Sequence, residues 1–98
     1  MDFELTDEQI RLGGIVDFSE IDTLHEIFKQ VLARDDSSLV VDLSGIKQID
    51  TAALQLFLAF ERDARASGKR VDWQNIPVSL SQSLKLTGFD AILDRSDS

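Results

Sequence analysis

The chain has 98 residues, 18 acidic against 10 basic side chains, a formal net charge of −8 and no cysteine. That length holds one small domain and not two, and the absence of thiols excludes disulfides and thiolate metal sites. The acidic balance argues against binding a nucleic-acid backbone or an anionic membrane surface, and suits a soluble protein, whether the charge only keeps it in solution or also meets a basic partner.

Phe3 to Thr6 reads as a short first strand, followed by a turn at Asp7-Glu8. Gln9 to Leu12 alternates polar and apolar residues, as a half-buried strand does. Gly13-Gly14 interrupts it, which signals a bulge or a close backbone approach. Ile15-Val16 resumes the apolar pattern and Asp17 follows. Ser19 is expected to cap the first helix, with Asp22 three residues on. Leu24, Ile27, Phe28 and Val31 then recur at helical spacing, flanked by Ile21 and Leu32, and the helix ends near Arg34.

Leu39 to Leu43 is short, apolar except for Asp42, and bounded by turn residues, which predicts a central strand. Ser44-Gly45 is expected to turn the chain, with Ile46 and Ile49 reaching the core from the loop. A second helix runs from Thr51 to Ser67 and stops at Gly68. Ala53, Phe57, Phe60 and Ala64 share its core face. Arg62, Asp63 and Arg65 point elsewhere, and Leu58 falls beside Gln55, Glu61 and Arg62, away from the core. Val71 to Trp73 predicts another strand. Ser79 and Gln82 match a capping box that opens a third helix through Leu80, Leu84 and Leu86, ended by Gly88, with Phe89, Ile92 and Leu93 in a small closing element. The tail, residues 94–98, is expected to be flexible. The order β-β-α-β-α-β-α implies crossovers and a mostly parallel sheet with helices packed on it.

The stretch that invites function is Ile49-Asp50-Thr51-Ala52-Ala53-Leu54, where a strand and turn run into a helix. At a helix N-terminus the Thr51 hydroxyl can cap free backbone N–H groups. Alternatively it accepts a phosphoryl group, which unpaired N–H groups and the positive end of the helix dipole would favour. The charge of about −1.5 to −2 would meet Asp50 and an acidic protein unfavourably. Asp50 reads as a second cap, as a group that orients an incoming hydroxyl, or as one that repels a phosphate. Asp17 ends a strand, and parallel strand ends gather on one edge, so Asp17 and Asp50 are expected on the same edge. Leu58 reads either as a lone exposed leucine or as an apolar contact on a partner-binding face. His25 is expected on the surface. No P-loop, dinucleotide-binding or nucleophile-elbow motif is present, and neither catalytic residues, a cofactor nor a metal is expected. The acidic N-terminus lacks the regions of a signal peptide, and no apolar run approaches the roughly 20 residues that span a bilayer, so a cytoplasmic protein is expected.

Four segments carry a family resemblance. Gly14-Ile15-Val16-Asp17, Val40-Val41-Asp42-Leu43-Ser44-Gly45-Ile46, Ile49-Asp50-Thr51-Ala52-Ala53-Leu54 and Leu84-Lys85-Leu86-Thr87-Gly88-Phe89 resemble, in order, conserved pieces of the STAS domain, the family of bacterial anti-sigma factor antagonists. The resemblance implies a single domain over residues 1–98, with a four- or five-stranded mixed sheet and helices largely on one side. It implies a non-enzymatic regulator switched by an anti-sigma kinase, with the family's phosphorylated serine mapping onto Thr51. The implied binding surface is Asp17, Ser44, Asp50, Thr51, Ala52 and Gln55, to which Leu58 is added from the helix reading. Two departures stand out: threonine replaces serine, and Ala53 replaces a glycine. The Asp-Thr-Ala pattern also resembles stand-alone STAS proteins of chemotaxis-type signalling and small STAS subunits of lipid-trafficking ABC transporters, where the threonine contacts the ATPase without phosphate. The oligomeric state is left open.

Overall fold

The computed structural model describes residues 1–7 and 9–78. Four strands, β1 (Asp2–Leu5), β2 (Gln9–Val16), β3 (Ser38–Ile49) and β4 (Arg70–Gln74), form one sheet in the order β1-β2-β3-β4. Helix α1 (Ile21–Leu32) connects β2 to β3, and α2 (Thr51–Ala66) connects β3 to β4. β1 is antiparallel to β2, and the other two pairings are parallel. Because β2, β3 and β4 succeed one another in one direction, two right-handed crossovers lay both helices on the same face. The α/β architecture with a four-stranded mixed sheet is thus as expected. The third helix and the closing element lie outside the described residues. No helix of the described residues is long and apolar enough to cross a membrane.

The helical stripes meet the sheet as their spacing predicts. Leu24, Ile27, Phe28 and Val31 of α1 and Ala53, Leu54, Phe57, Phe60 and Ala64 of α2 are buried, with Ile10, Leu12, Val41, Leu43 and Val71 from the strands. An aromatic cluster closes the layer. Phe28 stacks on Phe60 with ring centroids 4.2 Å apart and meets Phe57 edge-on at 5.8 Å. Trp73 stacks on Phe57 at 5.3 Å and meets Phe60 edge-on at 6.0 Å. Such pairs add to the apolar burial that drives the layers together. Gly68, at φ 77°, ends α2: its N–H reaches Arg65 O and the Lys69 N–H reaches Ala64 O, the paired bonds of a Schellman stop.

The structure corrects three local expectations. β3 does not turn at Ser44-Gly45 but runs on to Ile49. Its pairing with β2 steps from Arg11↔Asp42 to Gly13↔Gly45 and from Gly14↔Ile46 to Ile15↔Gln48, so β3 carries an extra residue at each place. Bulges absorb what reads in sequence as a turn. Gly13 and Gly45 face each other there, and a Cβ on Gly45 would come 3.1 Å from Gly13 Cα. Ile46 and Ile49 reach the core from strand rather than loop.

Ser19 does not cap α1. It lies in a one-turn 3-10 helix, Phe18–Glu20, capped by Asp17, and α1 follows without a side-chain cap. Asp17, two residues earlier, accepts the Ser19 N–H and caps that short turn instead.

Leu58 is half-buried against the core, and Glu61, expected beside it on the outer side, is only 6% exposed. Glu61 is drawn inward by the indole N–H of Trp73, which donates to its Oε1 at 3.3 Å, while Arg65 Nη2 lies 3.9 Å from its Oε2. A buried carboxylate with a donor in reach replaces the polar helix face that a hydropathy pattern draws.

Candidate functional site

β2 and β3 are parallel and end together, at Val16 and Ile49, which pair across the sheet. The chain leaves both strands at one edge, and the Asp50 N–H donates to Val16 O at 3.1 Å. Asp17 and Asp50 therefore head two adjacent turns, as expected.

Asp50 is the N-cap of α2, with extended backbone at φ −98° and ψ 173°. Its Oδ1 accepts the Ala53 N–H at 2.9 Å, which satisfies one of the helix's free donors. Its Oδ2 accepts the Phe18 N–H at 2.8 Å. One carboxylate thus holds the start of α2 and the turn after β2 in a fixed relation. Among the open readings of Asp50, the structure carries the cap, and the capping that is one of two readings of Thr51 falls to Asp50.

Thr51 is the first residue of α2 and is exposed, with exposed Ala52 beside it and exposed Gln55 one turn on. The first turn of α2 holds no acidic side chain, and the Asp50 carboxylate meets the positive end of its dipole as the N-cap.

Asp17 is half-buried at its own turn, where Oδ1 accepts both the Ser19 hydroxyl and the Ser19 N–H, the latter at 3.0 Å. The hydrogen bond from the Ser19 hydroxyl, with that from its N–H, holds the Asp17 carboxyl below the usual carboxylate range. Phe18, between the two clamped aspartates, is 74% exposed. Its signal in the sequence is slight: an aromatic residue just after Asp17 that belongs to neither the strand alternation nor the α1 stripe.

The structure does not bring every expected residue to this edge. Ser44 is exposed but sits within β3, six positions before Asp50, which is up to roughly 20 Å of strand at about 3.3 Å per residue. It lies instead in a surface groove with Phe3, Glu4, Arg11 and the facing Gly13 and Gly45. Its N–H donates at 2.9 Å to Oδ1 of Asp42, whose Oδ2 lies 3.6 Å from Arg11 Nε. Burial pushes the Asp42 carboxyl up, but the hydrogen bonds from Ser44 and Asn75 and the charge of Arg11 outweigh it and hold it low. Leu58 is two turns into α2 and half-covered by the core.

Comparison with known proteins places the chain in a family. The family model described as "Mlab, STAS domain" matches residues 1–94. Among solved structures, the anti-sigma factor antagonist SpoIIAA in its unphosphorylated form superposes with a TM-score of 0.71 at 19% identity, over 89% of this chain and 79% of that one. The Bacillus cell fate determinant SpoIIAA in the phosphorylated form gives 0.69 at 17% identity, over 92% and 85%. An anti-sigma factor antagonist from Mycobacterium paratuberculosis gives 0.73 at 20% identity, over 92% and 78%. At such identities the structural likeness is one of fold.

Proposed function

The chain belongs to the STAS domain family, and from that premise we propose that it is a non-enzymatic regulator that binds a protein partner through the N-terminus of α2, with Thr51 as the switch residue. The observation that carries this reading is the division of labour between neighbours. Asp50 takes the cap, and Thr51 stands exposed beside it with its hydroxyl released from that duty. A helix N-terminus offers unpaired N–H groups and a positive dipole end to a phosphate.

The same geometry gives a phosphate something to act on. A phosphoryl group on Thr51 would compete with Asp50 for the N–H groups of the first turn and repel its carboxylate. Asp50 also holds the Phe18 N–H, so a shift of its carboxylate is felt at the turn after β2. Modification would then alter the docking surface at two points without unfolding the core. The partner is an anti-sigma kinase or a kinase of chemotaxis-type signalling.

The test is incubation with the cognate kinase and ATP, with mass spectrometry of the Thr51 peptide, together with binding of Thr51→Glu. A modified Thr51 and lost binding by Thr51→Glu support the switch. An unmodified Thr51 with Thr51→Glu still bound ends it.

A second reading keeps the surface and drops the phosphate: a constitutive STAS subunit of a lipid-trafficking ABC transporter, with Thr51 contacting the ATPase. Two observations favour it. The Ala53 N–H, which a phosphate would seek, is already satisfied by Asp50, and threonine stands where the family's switch has serine. It predicts stable co-purification with an ABC ATPase and loss of that complex when Thr51 or Leu58 is replaced by a charged residue.

A further inference from the structure

We infer that Phe18 is an aromatic anchor, taken up by a protein partner in an apolar pocket with a cationic rim; this rests on the docking surface proposed above and names its central contact. Exposed apolar side chains scattered singly need no explanation. Phe18 differs in how it is held. Its own N–H is bound by Asp50 Oδ2 at 2.8 Å, the next N–H by Asp17 Oδ1 at 3.0 Å, and the Glu20 N–H by Asp17 O at 3.0 Å. The backbone under the ring is therefore fixed on both sides while the ring stands in water, 74% exposed. Docking such a side chain costs little further ordering, and rigid aromatic side chains that fill a pocket dominate protein interfaces.

The surroundings fix the character of the pocket. Asp17, Glu20 and Asp50 lie on the two turns that flank the ring, and exposed Asp22 opens α1 just beyond. Hydrogen bonding by Ser19 favours the ionised form of Asp17. Glu20 lies 3.5 Å from the N-terminal ammonium, and Lys47, on β3, is the nearest lysine in sequence to Asp50. Residues 17–22 and 50–52, which form these turns, carry carboxylates and neither lysine nor arginine, in a chain of net charge −8. Arginine or lysine at the pocket edge complements that field, whereas a second copy of this chain meets it with like charge.

The experiment titrates the full chain, by calorimetry, against two purified probes from the same genome, the anti-sigma kinase and the ABC ATPase. The wild type is compared with Phe18→Ala, Phe18→Leu, Phe3→Ala and Thr51→Glu. The expected result is binding of one probe by the wild type, weakened at least about tenfold by Phe18→Ala and less by Phe18→Leu. Phe3→Ala stays within about twofold, and the melting temperature of Phe18→Ala within about 2 °C of wild type, since an exposed ring adds little to the fold. Raising NaCl from about 0.05 to about 0.5 M weakens the wild-type complex. If Phe18→Ala binds within about twofold while Thr51→Glu is dead, the anchor is refuted and the docking surface stands. If both variants bind as wild type, or if neither probe binds the wild type at about 100 µM, both ideas fall. A self-dimer that Phe18→Ala dissociates makes the occupant a second copy and overturns the cationic pocket.

Discussion

Four aromatic rings at the centre of the molecule and one at its edge show how differently the same kind of side chain can be used. Phe28, Phe57, Phe60 and Trp73 are at most 3% exposed and pack ring to ring beneath the two helices. Phe18 is 74% exposed and sits on a turn tied down by two aspartates. In the centre the backbone is ordinary and the side chains carry the energy. At the edge the reverse holds: hydrogen bonds fix the backbone, and the side chain has no partner's surface to fill within the described residues. The hydrogen bonds steady the turn whatever side chain it carries, so the fold needs the backbone there and only presents the ring.

The largest expected effect falls at the centre. Phe57→Ala removes a buried ring that touches both Phe28 and Trp73 and should cost about 3–5 kcal/mol in denaturant unfolding. A loss below about 1 kcal/mol would mean the cluster is loosely packed and the contrast with the edge is false.

Asp50→Ala comes next. It strips a helix cap and the bond to the Phe18 N–H together, and about 2 kcal/mol is expected. Asp50→Asn, which keeps an acceptor oxygen, should recover part of it. Equal losses in both variants would show that charge at the helix dipole, not the two-handed hydrogen bonding, is what matters.

Acid should read the polar devices outside the aromatic centre. Asp17 and Asp42 both titrate below the usual carboxylate range when folded, the first through hydrogen bonds from Ser19, the second through hydrogen bonds and Arg11 despite its burial. A depressed folded pKa means that the unfolded chain takes up the proton more readily. The stability these groups add is present above about pH 4–5 and is lost as pH falls through their folded values. Asp42→Asn should therefore be less stable than wild type at neutral pH, and the gap should narrow in acid. A constant gap from pH 7 to about pH 3 would remove the ionised form from the account.

The smallest effect is expected at the proposed switch itself. Thr51→Ala, at an exposed first helical position with the cap next door, should change stability by less than about 0.5 kcal/mol. A larger loss in thermal unfolding would give the threonine a structural duty and weaken its reading as a group kept for a partner.

Most of this architecture was legible from periodicity. The spacing of Leu24, Ile27, Phe28 and Val31 and of Ala53, Phe57, Phe60 and Ala64 gave the two core faces, because a helix of 3.6 residues per turn brings those positions into line. Gly68 marked the end of α2, because the stop it forms needs a positive φ. Ser44-Gly45 misled for a related reason: the same residues serve turns and bulges, and only the partner strand decides which. Gly13 lies opposite Gly45, and that pairing lets β3 continue. Glu61 and Leu58 are both expected on the outer side, yet Leu58 is half-covered by the core and Glu61 is buried, because a charge can be buried when a donor reaches it, and the donor, Trp73, is on another element.

At the candidate site, the sequence identified Asp50-Thr51 as a helix start and put Asp17 on the same edge, both consequences of chain order and parallel strands. It did not tell which of Asp50 and Thr51 caps the helix, nor that the cap also holds Phe18, nor that Ser44 lies well down β3 from this edge. Local pattern determines where elements begin and which way they face, because those follow from bonds between near neighbours. Which acceptor meets which donor across 32 residues, as Asp50 meets Phe18, is decided only when two strands end side by side, because a hydrogen bond depends on distance in space and not on distance along the chain.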